Sequence, residues 1–148
     1  MELQKDLNEF LELLLSKKVD FLVVGAHAVA FHGHPRLTGD IDFLIRSDQE
    51  NASRMEAVFR DFGFIGHPFV VSELLKPEQT FQLGRPPNRI DILTSISGVS
   101  TEDAWANKIK GTLSGKQVYF ISKLDLIQNK RSTGRMKDLA DAEILSRR

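Results

Sequence analysis

Leu3, Leu7, Phe10, Leu11, Leu14 and Leu15 recur at three- and four-residue intervals, so the chain opens on an amphipathic helix. Lys17 and Lys18 follow near its end, where cations suit the helix dipole. Phe21-Leu22-Val23-Val24 is a short apolar run halted by Gly25, the pattern of a buried strand. Ala26 to His32 reads as a short helix closed by Gly33 and Pro35. Asp40 to Ile45 alternates into a second strand. Ser47 or Asp48 caps the next helix, whose stripe is Met55, Val58, Phe59 and Phe62, and Gly63 ends it. Phe69-Val70-Val71 and Thr80 to Leu83 read as strands, with a short helix near Glu73 to Leu75 between them. Arg85 to Asn88 is a turn, and Arg89 to Leu93 is a strand, so these last two strands form an antiparallel hairpin. Ser100 caps a helix running through Ile109, Gln117 to Ile121 is a late strand, and Ser122 caps a helix to about Arg131. Gly134 separates it from a last helix, Met136 to Leu145. The order α-β-α-β-α-β-β-β-α-β-α-α describes an α/β or α+β domain built on a mixed sheet. No repeat or long linker divides it, so residues 1–148 are expected to form one domain with a C-terminal helical portion, 122–148.

Composition narrows the functional classes. Lys and Arg number 20 and Asp and Glu number 20, which speaks against a protein that coats nucleic acid nonspecifically. Cysteine is absent, so disulfides and thiolate metal sites are excluded. No apolar run approaches the ~20 residues that span a bilayer, and the first residues lack a signal-peptide core. The expectation is a soluble cytoplasmic protein with no membrane partner.

The candidate chemistry lies in the acidic strands. Period two puts Asp40, Asp42 and Leu44 on one face and Ile41, Phe43 and Ile45 on the other, which is expected to be the buried one. Asp40 and Asp42 are then about 6.6 Å apart at Cα and repel each other unless a cation lies between them. Asp91, between Ile90 and Ile92, has the same setting. If its strand lies beside the first, three carboxylates converge on a site for hard divalent cations, Mg2+ or Mn2+, of the kind that clamps both ends of a phosphoryl displacement. Fifteen residues before Asp40, Gly25 joins a strand to a helix, where backbone N–H groups of Gly25 and Ala26 can meet a phosphate. Arg36 and Thr38 add a cation and a hydroxyl in the loop leading to Asp40. His27, His32 and His34 lack the spacing of a helical zinc site.

The string from Val24 through Gly25 and Ala26 to Gly33-His34-Pro35-Arg36-Leu37-Thr38-Gly39-Asp40-Ile41-Asp42 resembles the DNA polymerase beta-type nucleotidyltransferase superfamily. That family has a strand, Gly-Gly or Gly-Ser, a helix, Asp-x-Asp or Asp-x-Glu on the next strand, and a third carboxylate on a further strand. Gly33 to Asp42 also resembles the small bacterial branch of abortive-infection AbiEii-type toxin nucleotidyltransferases and the lincosamide and aminoglycoside nucleotidyltransferases. Residues 20–46 and 89–94 carry most of the likeness. Lys130, Lys137, Asp138 and Asp141 carry a weaker one in the tail.

The resemblance implies a palm-type mixed sheet flanked by helices. It also implies transfer of a nucleoside monophosphate from a nucleoside triphosphate to an acceptor hydroxyl on RNA, a protein or a small molecule. Asp40, Asp42 and Asp91 would hold the metal, with Asp91 helping to deprotonate the acceptor. Gly25 and Ala26 would present amides to the phosphates, and Lys130 would reach the triphosphate. An antitoxin-type protein partner belongs to the same implication. One residue departs from the pattern. Ala26 stands where the family has a second Gly or Ser, so the N–H is kept, a hydroxyl is missing and a Cβ narrows the approach. A nucleotide-binding module that keeps the fold without turnover is the alternative reading.

Overall fold

The apolar stripe of the opening segment forms helix α1 (Lys5–Ser16), which buries Leu7, Phe10, Leu11 and Leu14. The run behind it, β1 (Phe21–Val24), is buried at every position, as a central strand must be. These coordinates come from a computed structural model that describes residues 5–35, 39–85 and 88–147. Helix α2 (Gly25–Phe31) follows β1 without a loop. Strand β2 (Ile41–Ile45) and helix α3 (Gln49–Phe62) come next. Asp48 caps α3 by accepting from the Asn51 N–H, and Gly63 ends it in the left-handed region.

The second half contains α4 (Val71–Leu74), β3 (Thr80–Leu83), β4 (Ile90–Leu93), α5 (Thr101–Ala106), β5 (Ile109–Leu113), β6 (Lys116–Phe120), α6 (Lys123–Thr133) and α7 (Met136–Ser146). Ser100 and Ser122 cap α5 and α6 as their sequences predict. The six strands form one mixed sheet in the order β3-β4-β2-β1-β6-β5. β2 runs parallel to β4 and antiparallel to β1, and β3 closes the hairpin with β4.

Register runs straight across the sheet. Phe81, Ile92, Phe43 and Val23 share one row, and Gln82, Asp91, Asp42 and Val24 the next. Adjacent rows point to opposite faces. The row of Phe43 and Phe81 faces the helices, with Phe10 of α1 stacked on Phe43 and Phe59 of α3 against Phe81. Asp42 and Asp91 therefore face the other way. That second face is not open throughout, because Leu22 and Leu44, paired two residues along, are also buried. The expectation that only the Ile41, Phe43 and Ile45 side is covered gives way to a strand buried on both sides except at its acidic end.

Two further expectations change. Residues 69–71 form no strand. Phe69 packs against Phe59, Phe64 and Phe81, and the Val71 N–H donates to the Glu56 carboxylate as α4 begins. Their apolar character serves a turn over the core. The helix from Ser100 stops at Ala106, and Ile109 instead begins β5, an edge strand. Ser114 and Gly115, at φ 53° and 79°, make the two-residue turn that joins β5 to β6.

Candidate active site

The site begins where β1 and β2 end. Val24 is the register partner of Asp42, so the residue after it, Gly25, lies against the Asp42 side chain. Gly25 has φ +70°, and a Cβ built there would collide with the Asp42 carboxylate. Glycine is needed here both for the turn into α2 and for the space that the carboxylate fills.

Asp42 and Asp91 are register partners on adjacent parallel strands. The two carboxyl groups lie close enough for the charge of Asp91 to raise the cost of ionising Asp42. Burial first, then the charges of Asp91 and Asp40 push the Asp42 carboxyl up to about 7, with Lys130 pulling the other way. Asp40 lies just ahead of β2 and accepts the Arg89 backbone N–H at 2.8 Å. Arg89 then turns its guanidinium onto Asp91 as a two-pronged fork, Nε to Oδ1 at 2.8 Å and Nη2 to Oδ2 at 3.1 Å, with Nη2 3.9 Å from Asp40.

These groups line one cleft of about 670 Å³. Gly25, Ala26, Asp40, Asp42, Arg89 and Asp91 line it together with Lys130, Arg135, Lys137 and Asp138 of the segment from α6 into α7. Lys130 is buried and held by two carboxylates, Asp138 at 3.2 Å and Asp141 at 3.1 Å. Asp138 also accepts from Thr133 and Arg135, both at 2.7 Å. Burial pushes the Asp138 carboxyl upward, but these donors and the Lys130 charge hold it below the usual range. Arg135 keeps most of its side chain in solvent.

The predicted residues thus fall into three groups. Asp40, Asp42, Asp91, Gly25 and Ala26 line the cleft together. Lys130 lines the same cleft with its ammonium engaged by α7. Arg36 and Thr38 lie outside the described residues. Among the described residues, no three His, Asp or Glu side chains stand arranged to ligate one metal ion. The Arg89 fork already engages both oxygens of Asp91. The donor set itself is oxygen only, with one carboxyl pushed up to about 7 by burial first and then by the charges of Asp91 and Asp40, and a hard divalent cation among these oxygens would offset that clustered charge. His27 is partly buried, its pKa lowered by desolvation against a raising hydrogen bond to the Asp40 backbone, and its Nδ1 has no hydrogen-bond partner among the described residues.

Arg89 is the site residue that sequence reasoning passed over. Its signal was present, because a residue two positions before Asp91 on a strand shares its face.

No protein-family model matches the chain. No curated protein matches it either. Among solved structures, it is similar to a Thermotoga maritima protein provisionally assigned as a nucleotidyltransferase. The match covers 94% of this chain and 87% of that one at 20% identity, with a TM-score of 0.57. The chain has the nucleotidyltransferase fold. In that fold the six-stranded mixed sheet sets β2 beside β4, which brings Asp42 into register with Asp91.

Proposed function

We propose that the protein is a metal-dependent nucleotidyltransferase. The observation that carries this reading is the pairing of Asp42, set against the Gly25 backbone, with Asp91 in a cleft that Lys130, Arg135 and Lys137 also line. Carboxylates and cations lining one space suit a polyphosphate chelated to a divalent cation.

In the proposed reaction the acceptor oxygen attacks the α-phosphorus of a nucleoside triphosphate. The bond from that phosphorus to the bridging oxygen breaks, pyrophosphate leaves, and the acceptor proton passes to a carboxylate. Asp40, Asp42 and Asp91 would hold Mg2+ or Mn2+, which when bound polarises the phosphate and lowers the pKa of the acceptor. Asp91 is the carboxylate assigned to acceptor deprotonation. Gly25 and Ala26 supply backbone N–H groups, and Arg36 and Thr38 are assigned to the phosphates. The acceptor is a hydroxyl on RNA, a protein or a small molecule. Likeness of Gly33 to Asp42 to the AbiEii-type toxins supports a toxin–antitoxin role with a protein antitoxin.

A second reading, a nucleotide-binding module without turnover, is favoured by Ala26 at the Gly-or-Ser position and by the Arg89 fork on Asp91. One experiment separates them. Magnesium with a nucleoside triphosphate should raise the melting temperature under both readings, and pyrophosphate release on adding RNA, protein or aminosugar acceptors should occur only under the first. An unchanged melting temperature with every triphosphate and metal would remove both.

A further inference from the structure

We propose that Arg89 is a resident counter-ion latch: its guanidinium occupies Asp91 where a divalent cation would act, and must release that carboxylate before the cation binds fully. This rests on the reading of Asp40, Asp42 and Asp91 as a metal site. Three observations carry it. The fork takes both oxygens of Asp91 at once, at 2.8 and 3.1 Å. The same residue holds Asp40 through its backbone N–H and places its guanidinium 3.9 Å from the Asp40 carboxylate. Arg89 thus bridges two of the three carboxylates by main chain and side chain together.

Two physical consequences have the same sign. A guanidinium is charged at every working pH, so a cation arriving at these carboxylates meets a positive charge already in place. A carboxylate has a limited set of lone pairs, and a fork commits part of both oxygens. Each effect lowers the affinity for a divalent cation. Arg89 also lines the cleft, so its freed fork would meet the phosphate oxygens that enter with the metal, for which a guanidinium has the matching geometry. The latch would thereby couple metal entry to anion entry, exchanging a carboxylate for a phosphate on one guanidinium.

The test is a calorimetric titration of the metal-free protein with manganese alone, for wild type, Arg89→Ala, Arg89→Lys and Asp91→Asn. Arg89→Ala should bind manganese on the order of tenfold more tightly than wild type, because a nearby like charge is removed. Arg89→Lys, which keeps the charge but loses the fork, should fall between them. The melting temperature of metal-free Arg89→Ala should drop, and saturating manganese should restore it to the wild-type holo value. Manganese binding by Arg89→Ala but not by wild type would support the latch most strongly. Unchanged or weaker binding by Arg89→Ala, while wild type binds and Asp91→Asn does not, would overturn the latch and leave the metal site standing. No binding by either protein would overturn the metal site and the latch together. If Arg89→Ala fails to fold, Arg89→Lys decides: tighter manganese binding than wild type upholds the latch, and equal or weaker binding ends it.

Discussion

Asp42 is the residue on which the site's electrostatics turn. It is flanked by Asp40 two positions back and by Asp91 across the strand pair, and its carboxyl titrates near 7. In the unfolded chain the same group titrates near 4. Between those values the folded state keeps a proton that the unfolded state gives up, so this contribution to stability is full below about pH 4 and is lost as pH rises through 7. Metal-free protein in chelator should therefore melt at a lower temperature at pH 8 than at pH 5. Asp42→Asn should flatten that slope, hold or raise the metal-free melting temperature, and abolish stabilisation by magnesium and triphosphate. An Asp42 whose replacement lowers the metal-free melting temperature and spares the ligand response would be a structural residue instead. Gly25→Ala tests the neighbouring constraint. Its left-handed backbone and the collision with Asp42 together should cost ~1–3 kcal/mol and push the carboxylate aside, read as a drop in denaturation midpoint with loss of metal response.

At the scale of elements, the junction between α6 and α7 is held by a buried ionic cluster. Lys130 reaches from α6 to Asp138 and Asp141 on α7, and all three residues are nearly inaccessible to solvent. Removing the lysine alone takes from two buried carboxylates the cation that they share. Lys130→Met should destabilise by ~3–5 kcal/mol, while the triple change Lys130→Met, Asp138→Asn, Asp141→Asn should recover much of the loss, measured by urea denaturation. Equal losses in the two variants would show that packing rather than charge joins the helices. Asp138, held below the usual carboxylate range, adds stability above about pH 4 that is lost as pH falls, the opposite direction from Asp42 and in a different window. The same cluster bears on the expectation that Lys130 meets the triphosphate, because its ammonium already has two partners.

For the molecule as a whole, the cleft places acidic and basic groups around one space. With Lys130 engaged, Arg135 and Lys137 are the exposed cations of its α6–α7 side among the described residues. The double change Arg135→Ala, Lys137→Ala should weaken triphosphate binding about tenfold, leave manganese binding in place, and lower the ligand-free melting temperature, since Arg135 is one of the donors on the buried Asp138 carboxylate. Differential scanning fluorimetry of the free protein, with manganese alone, and with magnesium and triphosphate reads all three. No helix among the described residues is long and apolar enough to cross a membrane.

Local chemistry was enough to read much of this protein from its sequence. Strands β1, β2, β3, β4 and β6, the caps Asp48, Ser100 and Ser122, and the glycine stops at 63 and 134 each follow from side-chain period and backbone preference within a few residues. Asp40, Asp42 and Asp91 were legible as candidates because charges alternating with core-facing Ile41, Phe43, Ile90 and Ile92 have few uses. The sequence did not reveal β5, whose Lys110 and Gly111 weaken the strand pattern and whose place depends on a hairpin partner. Nor did it show that Phe69 would serve a turn, since an apolar run has the same composition in a strand or over a core. Which strand lies beside which was a matter for the fold. Only the parallel pairing of β2 with β4, 49 residues apart at Asp42 and Asp91, sets those carboxylates together, and only that pairing brings the Arg89 N–H to Asp40. Contacts of that separation depend on packing the entire sheet at once, and no local window of sequence contains them.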